Sequence, residues 1–139
     1  KCSVELHHIC QKDSMFNTPP VFSIYTCLLS LRWLVNNGGI NEIEKKNTTK
    51  SKILYDEIDR NSQFKGFANK DDRSIMNVTF NLVNESNKQV FDQLILDSNI
   101  SGINGHRSVG GYRASIYNAM PIESIQTLIQ EMKKFENIV

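Results

Sequence analysis

Hydrophobic residues recur along this chain with helical or strand spacing, separated by glycine, proline and polar segments. Near the N-terminus, a segment that is apolar nearly all round predicts a buried helix over Val21–Asn36, with Trp33 as a core residue. Pro20 stands where a helix begins, and Gly38-Gly39 stand where one ends. Residues 1–20 show no clear period and close in an Asn-Thr-Pro-Pro segment, which is extended because each proline restricts its neighbour.

A second, longer helix is predicted over residues 40–59. Ile43, Leu54 and Ile58 recur there at helical spacing and define one apolar face. The charged flank of this helix is expected to face solvent: Glu42, Glu44, Lys45, Lys46, Lys50 and Lys52. The pattern is that of an amphipathic helix on the surface of a domain.

Strict alternation of apolar and polar residues over 76–82 predicts a half-buried strand. Further strands are predicted over 100–103 and 112–117, with a short one at 64–67. A helix capped by Asn84 or Ser86 separates the first two of the longer strands, and a last helix begins at Pro121. The order α-α-β-α-β-β-α predicts an α+β domain, with a short and largely antiparallel sheet and helices on one side.

Length and charge limit the classes of function. The chain has 139 residues, which is enough for one domain, and its net charge of +1 argues against partners such as nucleic acid or an anionic membrane surface. Cys2, Cys10 and Cys27 form an odd set without a CxxC pair, which favours reduced thiols in the cytoplasm. No signal peptide is visible, and the missing initial methionine suggests that the chain begins within a longer protein.

The densest candidate chemistry lies in residues 105–121. His106, Arg107 and Arg113 fall within eight residues, on either side of Gly110-Gly111, and Arg113 stands near the start of a predicted strand. Such an arrangement would suit a small molecule with two anionic groups, since a guanidinium binds a carboxylate or phosphate through two hydrogen bonds. A surface hairpin with solvated charges is the alternative that the residues leave open.

Two other motifs are weaker. Gly105 and Gly110 have the spacing of a phosphate-binding loop, but Gly111-Tyr112 replaces the required Lys-Ser/Thr, so a nucleotide loop is rejected. A zinc site is disfavoured because its four candidate ligands lack paired spacing: Cys2, His7, His8 and Cys10. No metal site is therefore predicted.

Two segments together resemble the phosphoserine aminotransferase family. They are Ser14-Met15-Phe16-Asn17-Thr18-Pro19-Pro20 and the run from Gly105-His106-Arg107 through Gly110-Gly111-Tyr112-Arg113-Ala114-Ser115-Ile116-Tyr117-Asn118-Ala119-Met120-Pro121. Trp33-Leu34, Gly38-Gly39 and Met76-Asn77-Val78 also match in order and spacing. The resemblance covers nearly the whole chain but only the C-terminal part of the family.

The resemblance implies a pyridoxal-phosphate (PLP) enzyme of the aspartate aminotransferase fold type I, active as a cytoplasmic homodimer. Residues 21–139 would be its small C-terminal domain, and residues 1–20 an extended segment from the large-domain side. The reaction implied converts 3-phosphohydroxypyruvate and glutamate to O-phosphoserine and 2-oxoglutarate in serine biosynthesis, with a second role in pyridoxine biosynthesis known in the family.

Site roles follow from the same resemblance. Asn17 and Thr18 match residues that bind the cofactor phosphate of the neighbouring subunit. His106 and Arg107 match those that hold the substrate phosphate, and Arg113 matches the arginine that binds the α-carboxylate.

The family's Schiff-base lysine lies upstream of Asn17, and neither Lys1 nor Lys12 matches it. No catalytic residue is therefore expected in this chain, and the chain alone is expected to be inactive. The alternatives are a stand-alone anion-binding or interaction module, and a domain whose apolar helical faces belong to an interface.

Overall fold

The computed structural model describes Met15, residues 17–105 and residues 110–139. By internal contacts the chain divides into two compact units, one ending at Ile40 and one running from Asn41 to Val139. The predicted boundary between residues 20 and 21 stays a prediction. The helices are α1 (Val21–Asn36), α2 (Gly39–Arg60), α3 (Lys88–Asp97) and α4 (Ile122–Ile138), and the strands are β1 (Phe64–Gly66), β2 (Asn77–Leu82) and β3 (Tyr112–Ser115).

Helix α1 has the predicted bounds, but its predicted burial is wrong. It begins after Pro20 and ends at Asn36, with Asn37 as its C-cap, and Gly38 then adopts a φ of 95°. None of its residues is buried, and Trp33 is 39% exposed. A helix that is apolar all round normally packs on several sides, so this much exposed apolar surface is unusual.

The second unit is built on a three-stranded antiparallel sheet of order β1-β2-β3. Apolar side chains of α2, α3 and α4 cover one face of the sheet. The helices thus lie on one side, as predicted. The buried side chains of this core include Leu54, Ile58, Val78, Phe80, Phe91, Ile95, Tyr112, Ile125, Leu128, Met132 and Phe135. Phe64 contributes edge-to-face contacts, with its ring centroid 5.7 Å from Phe80 and 5.0 Å from Phe91.

The predicted strand over 100–103 is wrong. Gly102 adopts a φ of 72°, which a strand does not tolerate, and only an isolated bridge pairs Asn104 with Tyr112. The carbonyl of Ile103 still accepts a hydrogen bond from the Arg113 N–H at 2.7 Å. This segment therefore covers the start of the edge strand β3 without forming a strand itself.

No helix in the described ranges is long and apolar enough to cross a membrane.

A buried carboxylate joins the C-terminal end of α2 to α4. Glu57 accepts hydrogen bonds from Arg60 at 2.7 Å and from Asn61 at 3.0 Å, and Asn61 also donates to the carbonyl of Met132 at 3.2 Å. Burial by itself raises the pKa of the Glu57 carboxyl, but the hydrogen bonds from Arg60 and Asn61, with the charges of Arg60 and Lys133, outweigh it and lower the pKa.

A carboxyl whose folded pKa is lowered stabilises the fold above its unfolded pKa, and this stabilisation is lost as pH falls through the folded value. We expect Glu57→Gln to reduce the free energy of unfolding at pH 7 by about 1 to 2 kcal/mol. The difference from wild type should shrink below about pH 4, near the ordinary glutamate pKa. Urea unfolding at pH 7 and below about pH 4 measures the difference in the free energy of unfolding. Asp56→Asn is the control, because Asp56 is an exposed neighbour of Glu57. A deficit that is the same at both pH values would show that the Glu57 charge is not its cause.

Candidate anion-binding site on the sheet

The face of the sheet opposite the helices is polar. In β2, the side chains of Asn77, Thr79 and Asn81 are half-buried and alternate with the fully buried apolar ones. In β3, Arg113 and Ser115 occupy the same face, because in-register neighbours of an antiparallel pair share a side and Thr79 pairs with Arg113. The polar sheet face is defined here by these five residues.

Strand β3 holds Arg113 rigidly by its backbone. Its N–H donates to Ile103 on one edge, and the strand pairs with β2 on the other. One residue earlier, the buried Tyr112 donates from its hydroxyl to Asp92 of α3 at 2.7 Å. Burial, with the hydrogen bond and charge of Asp92, raises the pKa of the Tyr112 phenol, so the hydroxyl stays a donor at neutral pH.

The Arg113 side chain is exposed and available to an anion. Within residues 17–105 and 110–139, its guanidinium forms neither an ion pair nor a side-chain hydrogen bond. The other arginines of this unit that the structure describes are engaged: Arg60 pairs with Glu57, and Arg73 pairs with Asp59 at 2.6 Å. Arg113 is thus the arginine of the second unit that is positioned by a strand and has no charge partner among the described residues.

The segment between Gly105 and Gly111, called the glycine loop here, has its two ends directly beside Arg113. The Gly105 N–H donates to the Gly111 carbonyl at 2.9 Å, and Gly110 and Gly111 adopt φ values of 76° and 64°. A Cβ on Gly105 would lie 2.0 Å from the Gly110 carbonyl oxygen, and one on Gly111 would lie 1.8 Å from Oδ1 of Asn81. The glycines therefore allow the two ends of the loop to meet over the polar sheet face.

A small cavity lies at this meeting point. Its volume is about 160 Å³, and its lining includes Phe67, Thr79, Asn81, Gly105, Gly110 and Arg113. His106 and Arg107 lie outside the described residues, but both ends of the loop that carries them border the cavity. The structure thus places both ends of this loop beside Arg113, and the roles of His106 and Arg107 stay predictions.

The predicted cofactor-binding pair belongs to the other unit. Asn17 and Thr18 are both exposed and precede Pro20, where α1 begins. An exposed amide and hydroxyl are donors of the kind that a phosphate accepts. The zinc candidates Cys2, His7, His8 and Cys10 lie outside the described residues.

The described residues offer donors for the anionic groups of PLP and of an amino-acid substrate, but no buried lysine with a free amine for the aldehyde of PLP. A lysine that reacts with an aldehyde needs a free amine. Lys50 is the one buried lysine in the described part of the chain, and its Nζ donates to three backbone carbonyls. No buried lysine among the described residues therefore has a free amine.

Sequence reasoning missed the residues around Arg113. Thr79 and Asn81 were recognised only as the polar positions of a strand, and Phe67 only as the end of a short strand. Alternation along β2 assigns the first two to the polar sheet face. Their closeness to Arg113 depends on the register between β2 and β3, which lie about 35 positions apart in the chain and have no local signal for pairing.

Comparison with known proteins supports the resemblance. A phosphoserine aminotransferase of Flavobacterium psychrophilum is 58% identical over 125 residues, which make up 90% of this chain and 35% of that protein. The solved phosphoserine aminotransferase of Bacillus circulans subsp. alkalophilus is 39% identical with a TM-score of 0.84, over 94% of this chain and 36% of that one. The PLP-bound enzyme of Trichomonas vaginalis is 31% identical with a TM-score of 0.80, over 96% and 38%.

The chain thus spans little more than a third of the length of the curated relatives it matches. The structural likeness confirms the predicted α+β fold, that of the small domain of a fold type I PLP enzyme. The sequence profile described as Aminotransferase class-V matches residues 1–128, most of the chain. On that match, the chain belongs to the class-V aminotransferase family.

Proposed function

We propose that this chain is the substrate-binding part of a PLP-dependent transaminase that converts 3-phosphohydroxypyruvate and glutamate to O-phosphoserine and 2-oxoglutarate. The observation that carries the proposal is the exposed guanidinium of Arg113, which has no charge partner among the described residues and stands beside a loop bearing His106 and Arg107. The phosphoserine aminotransferases among its relatives support the choice of substrate. The complete enzyme is proposed to act in the cytoplasm in serine biosynthesis, and on a related phosphorylated keto acid in pyridoxine biosynthesis.

Two anion sites would divide the substrate between them. Arg113 binds the α-carboxylate through two parallel hydrogen bonds, which fixes both the position and the plane of that group. His106 and Arg107 bind the phosphate at the other end. A substrate held at both ends presents its α-carbon in one orientation, and such positioning lowers the barrier to reaction.

PLP, when bound, would supply the electron sink for cleavage of the Cα–H bond. Asn17 and Thr18 would donate hydrogen bonds to its phosphate from the neighbouring subunit of a homodimer. The amine that binds the cofactor aldehyde would come from the part of the enzyme beyond this chain, since Lys50 is occupied by backbone carbonyls. The chain alone is therefore proposed to be inactive. Its exposed apolar helix α1 also supports a role within a larger assembly.

The proposal that His106 and Arg107 bind the substrate phosphate is tested by substrate selectivity. We expect Arg107→Ala in the complete enzyme to lower kcat/KM for phosphohydroxypyruvate by about ten- to a hundredfold, because a charge-assisted hydrogen bond contributes about 1.5 to 3 kcal/mol. Hydroxypyruvate, which lacks the phosphate, should lose little. The ratio of the two efficiencies, wild type against variant, is the measurement.

Arg113→Lys is the matched control, because both substrates carry the carboxylate and both should suffer. An equal loss for both substrates in Arg107→Ala would instead assign Arg107 to the loop or the cofactor. No turnover of phosphohydroxypyruvate by the wild-type enzyme would overturn the proposed function itself.

A further inference from the structure

The charged neighbours of Lys50 in the sequence predict that it faces solvent, and this prediction is wrong. Its side chain is buried, with 3% of the residue exposed. The ammonium donates to the carbonyls of Ile116 at 3.2 Å, Tyr117 at 2.7 Å and Met120 at 3.1 Å. A lysine has three N–H donors, so this set of acceptors satisfies it completely.

Burial of the Lys50 charge is not explained by stability alone, because desolvation of the ammonium costs free energy. Among the described residues no carboxylate pairs with Lys50, and burial lowers the pKa of its amine. A buried charge is expensive to desolvate, and replacing one with a well-packed apolar side chain is often neutral or stabilising. The more specific consequence of the arrangement is geometric, because three carbonyls of one short turn are fixed to one atom of α2.

That turn directly follows β3, and α2 holds it at a second point. Asn47, one helical turn before Lys50, donates from Nδ2 to Oδ1 of Asn118 at 2.8 Å. At the start of the turn, the Ile116 N–H donates to the Met76 carbonyl at 3.0 Å, which adds a last hydrogen bond to the sheet. The segment from Ile116 to Met120 is therefore fixed between helix α2 and strand β2.

Strand β3 is short, and this attachment lies at its C-terminal end. It has four residues, and the bridging segment at Ile103 and Asn104 covers only its first part. Toward its C-terminal end the strand is held by β2 and by the turn that Lys50 binds. A short edge strand released at one end opens locally, and the guanidinium of Arg113 would lose its fixed position with it.

We infer that Lys50, supported by Asn47, is a positioning residue for substrate carboxylate binding, and that it acts through Arg113 by fixing the turn after β3. This inference rests on the proposed function of Arg113. Lys50 itself touches neither the polar sheet face nor the cavity beside the glycine loop.

A double-mutant cycle in the complete enzyme tests the inference, with Lys50→Met and Arg113→Lys made singly and together. The readouts are KM for glutamate and the inhibition constant of maleate, a dicarboxylate that does not react. Thermal unfolding shows whether each variant is folded. Lys52→Met is the matched control, since Lys52 lies two residues away on the same helix and is exposed.

We expect Lys50→Met to raise both constants about tenfold, since small misplacements of a binding group have effects of this order or larger. In the Arg113→Lys background the same change should raise them less than twofold, because residues that act through one another are not additive. Lys52→Met should leave both constants unchanged. Equal effects of Lys50→Met in both backgrounds, or none in either, would overturn the inference.

Two further results are decisive. If Lys50→Met does not fold, Asn118→Ala takes its place in the cycle, because Asn118 is exposed and, among the described residues, its side chain bonds only to Asn47. Asn118→Ala is then expected to raise both constants two- to fivefold in the enzyme that keeps Arg113, but not in Arg113→Lys. Equal rises in both backgrounds would contradict the inference. If Arg113→Lys alone leaves KM for glutamate unchanged, the proposed function fails together with the inference, whereas additive effects remove only the inference.

Discussion

Replacing Arg113 with lysine in the complete enzyme is expected to lower kcat/KM for glutamate by about ten- to a hundredfold, corresponding to about 1.5 to 3 kcal/mol. Lysine keeps the positive charge but has no planar fork, so it cannot hold a carboxylate through two parallel hydrogen bonds. The loss should extend to phosphohydroxypyruvate, because both substrates present the same group. Steady-state kinetics with each substrate measure it.

Lys65→Arg is the matched control for this prediction. Lys65 is exposed and pairs with Asn81, so it carries its positive charge on the same face of the sheet. We expect its conversion to arginine to leave both efficiencies unchanged. Normal glutamate turnover in Arg113→Lys would mean that the carboxylate is bound elsewhere.

Gly111→Ala is expected to lower the free energy of unfolding by about 3 kcal/mol or more, which combines a strained backbone with overpacking. A φ of 64° costs a non-glycine residue about 1 to 2 kcal/mol. In addition, the new Cβ would lie 1.8 Å from Oδ1 of Asn81 and 2.9 Å from the carbonyl oxygen of Phe80. The Phe80 carbonyl is backbone of the central strand, so it cannot move aside without disturbing the sheet.

Gly102→Ala separates the two causes. Gly102 has a similar φ of 72°, but apart from its chain neighbours no atom of the described residues lies within 4 Å of the Cβ that alanine would add. This variant should therefore lose only about 1 to 2 kcal/mol from the backbone. Urea unfolding of both variants gives the comparison, and equal losses would refute close packing at Gly111.

The positions of the helices were predictable from local signals. Pro20 and Pro121 mark helix starts and Gly38 marks a helix end through their own backbone preferences, which do not depend on tertiary contacts. The strict alternation in β2 likewise predicted both the strand and its buried face. The predicted strand over 100–103 did not form, because Gly102, which lies between the two isoleucines, adopts the left-handed region.

Burial was less predictable than secondary structure. Apolar composition all round α1 predicted a buried helix, yet the described residues leave it exposed, since burial depends on what surrounds a helix and not on the helix itself. The opposite error occurred at Lys50, whose charged neighbours in α2 suggested solvent. No local rule indicates that three carbonyls lying more than sixty residues away will receive its ammonium.

The sequence by itself determined the family resemblance and the candidate chemistry of this protein, namely the cationic segment around the paired glycines and the role expected of Arg113. These depend on residue types and short spacings, which a linear pattern preserves. Only the tertiary structure decided which side chains surround Arg113 and what holds its strand. Thr79, Asn81 and Lys50 reach their places through strand register and helix packing, and such long-range contacts are fixed when the core closes, not by the residues next to them in the chain.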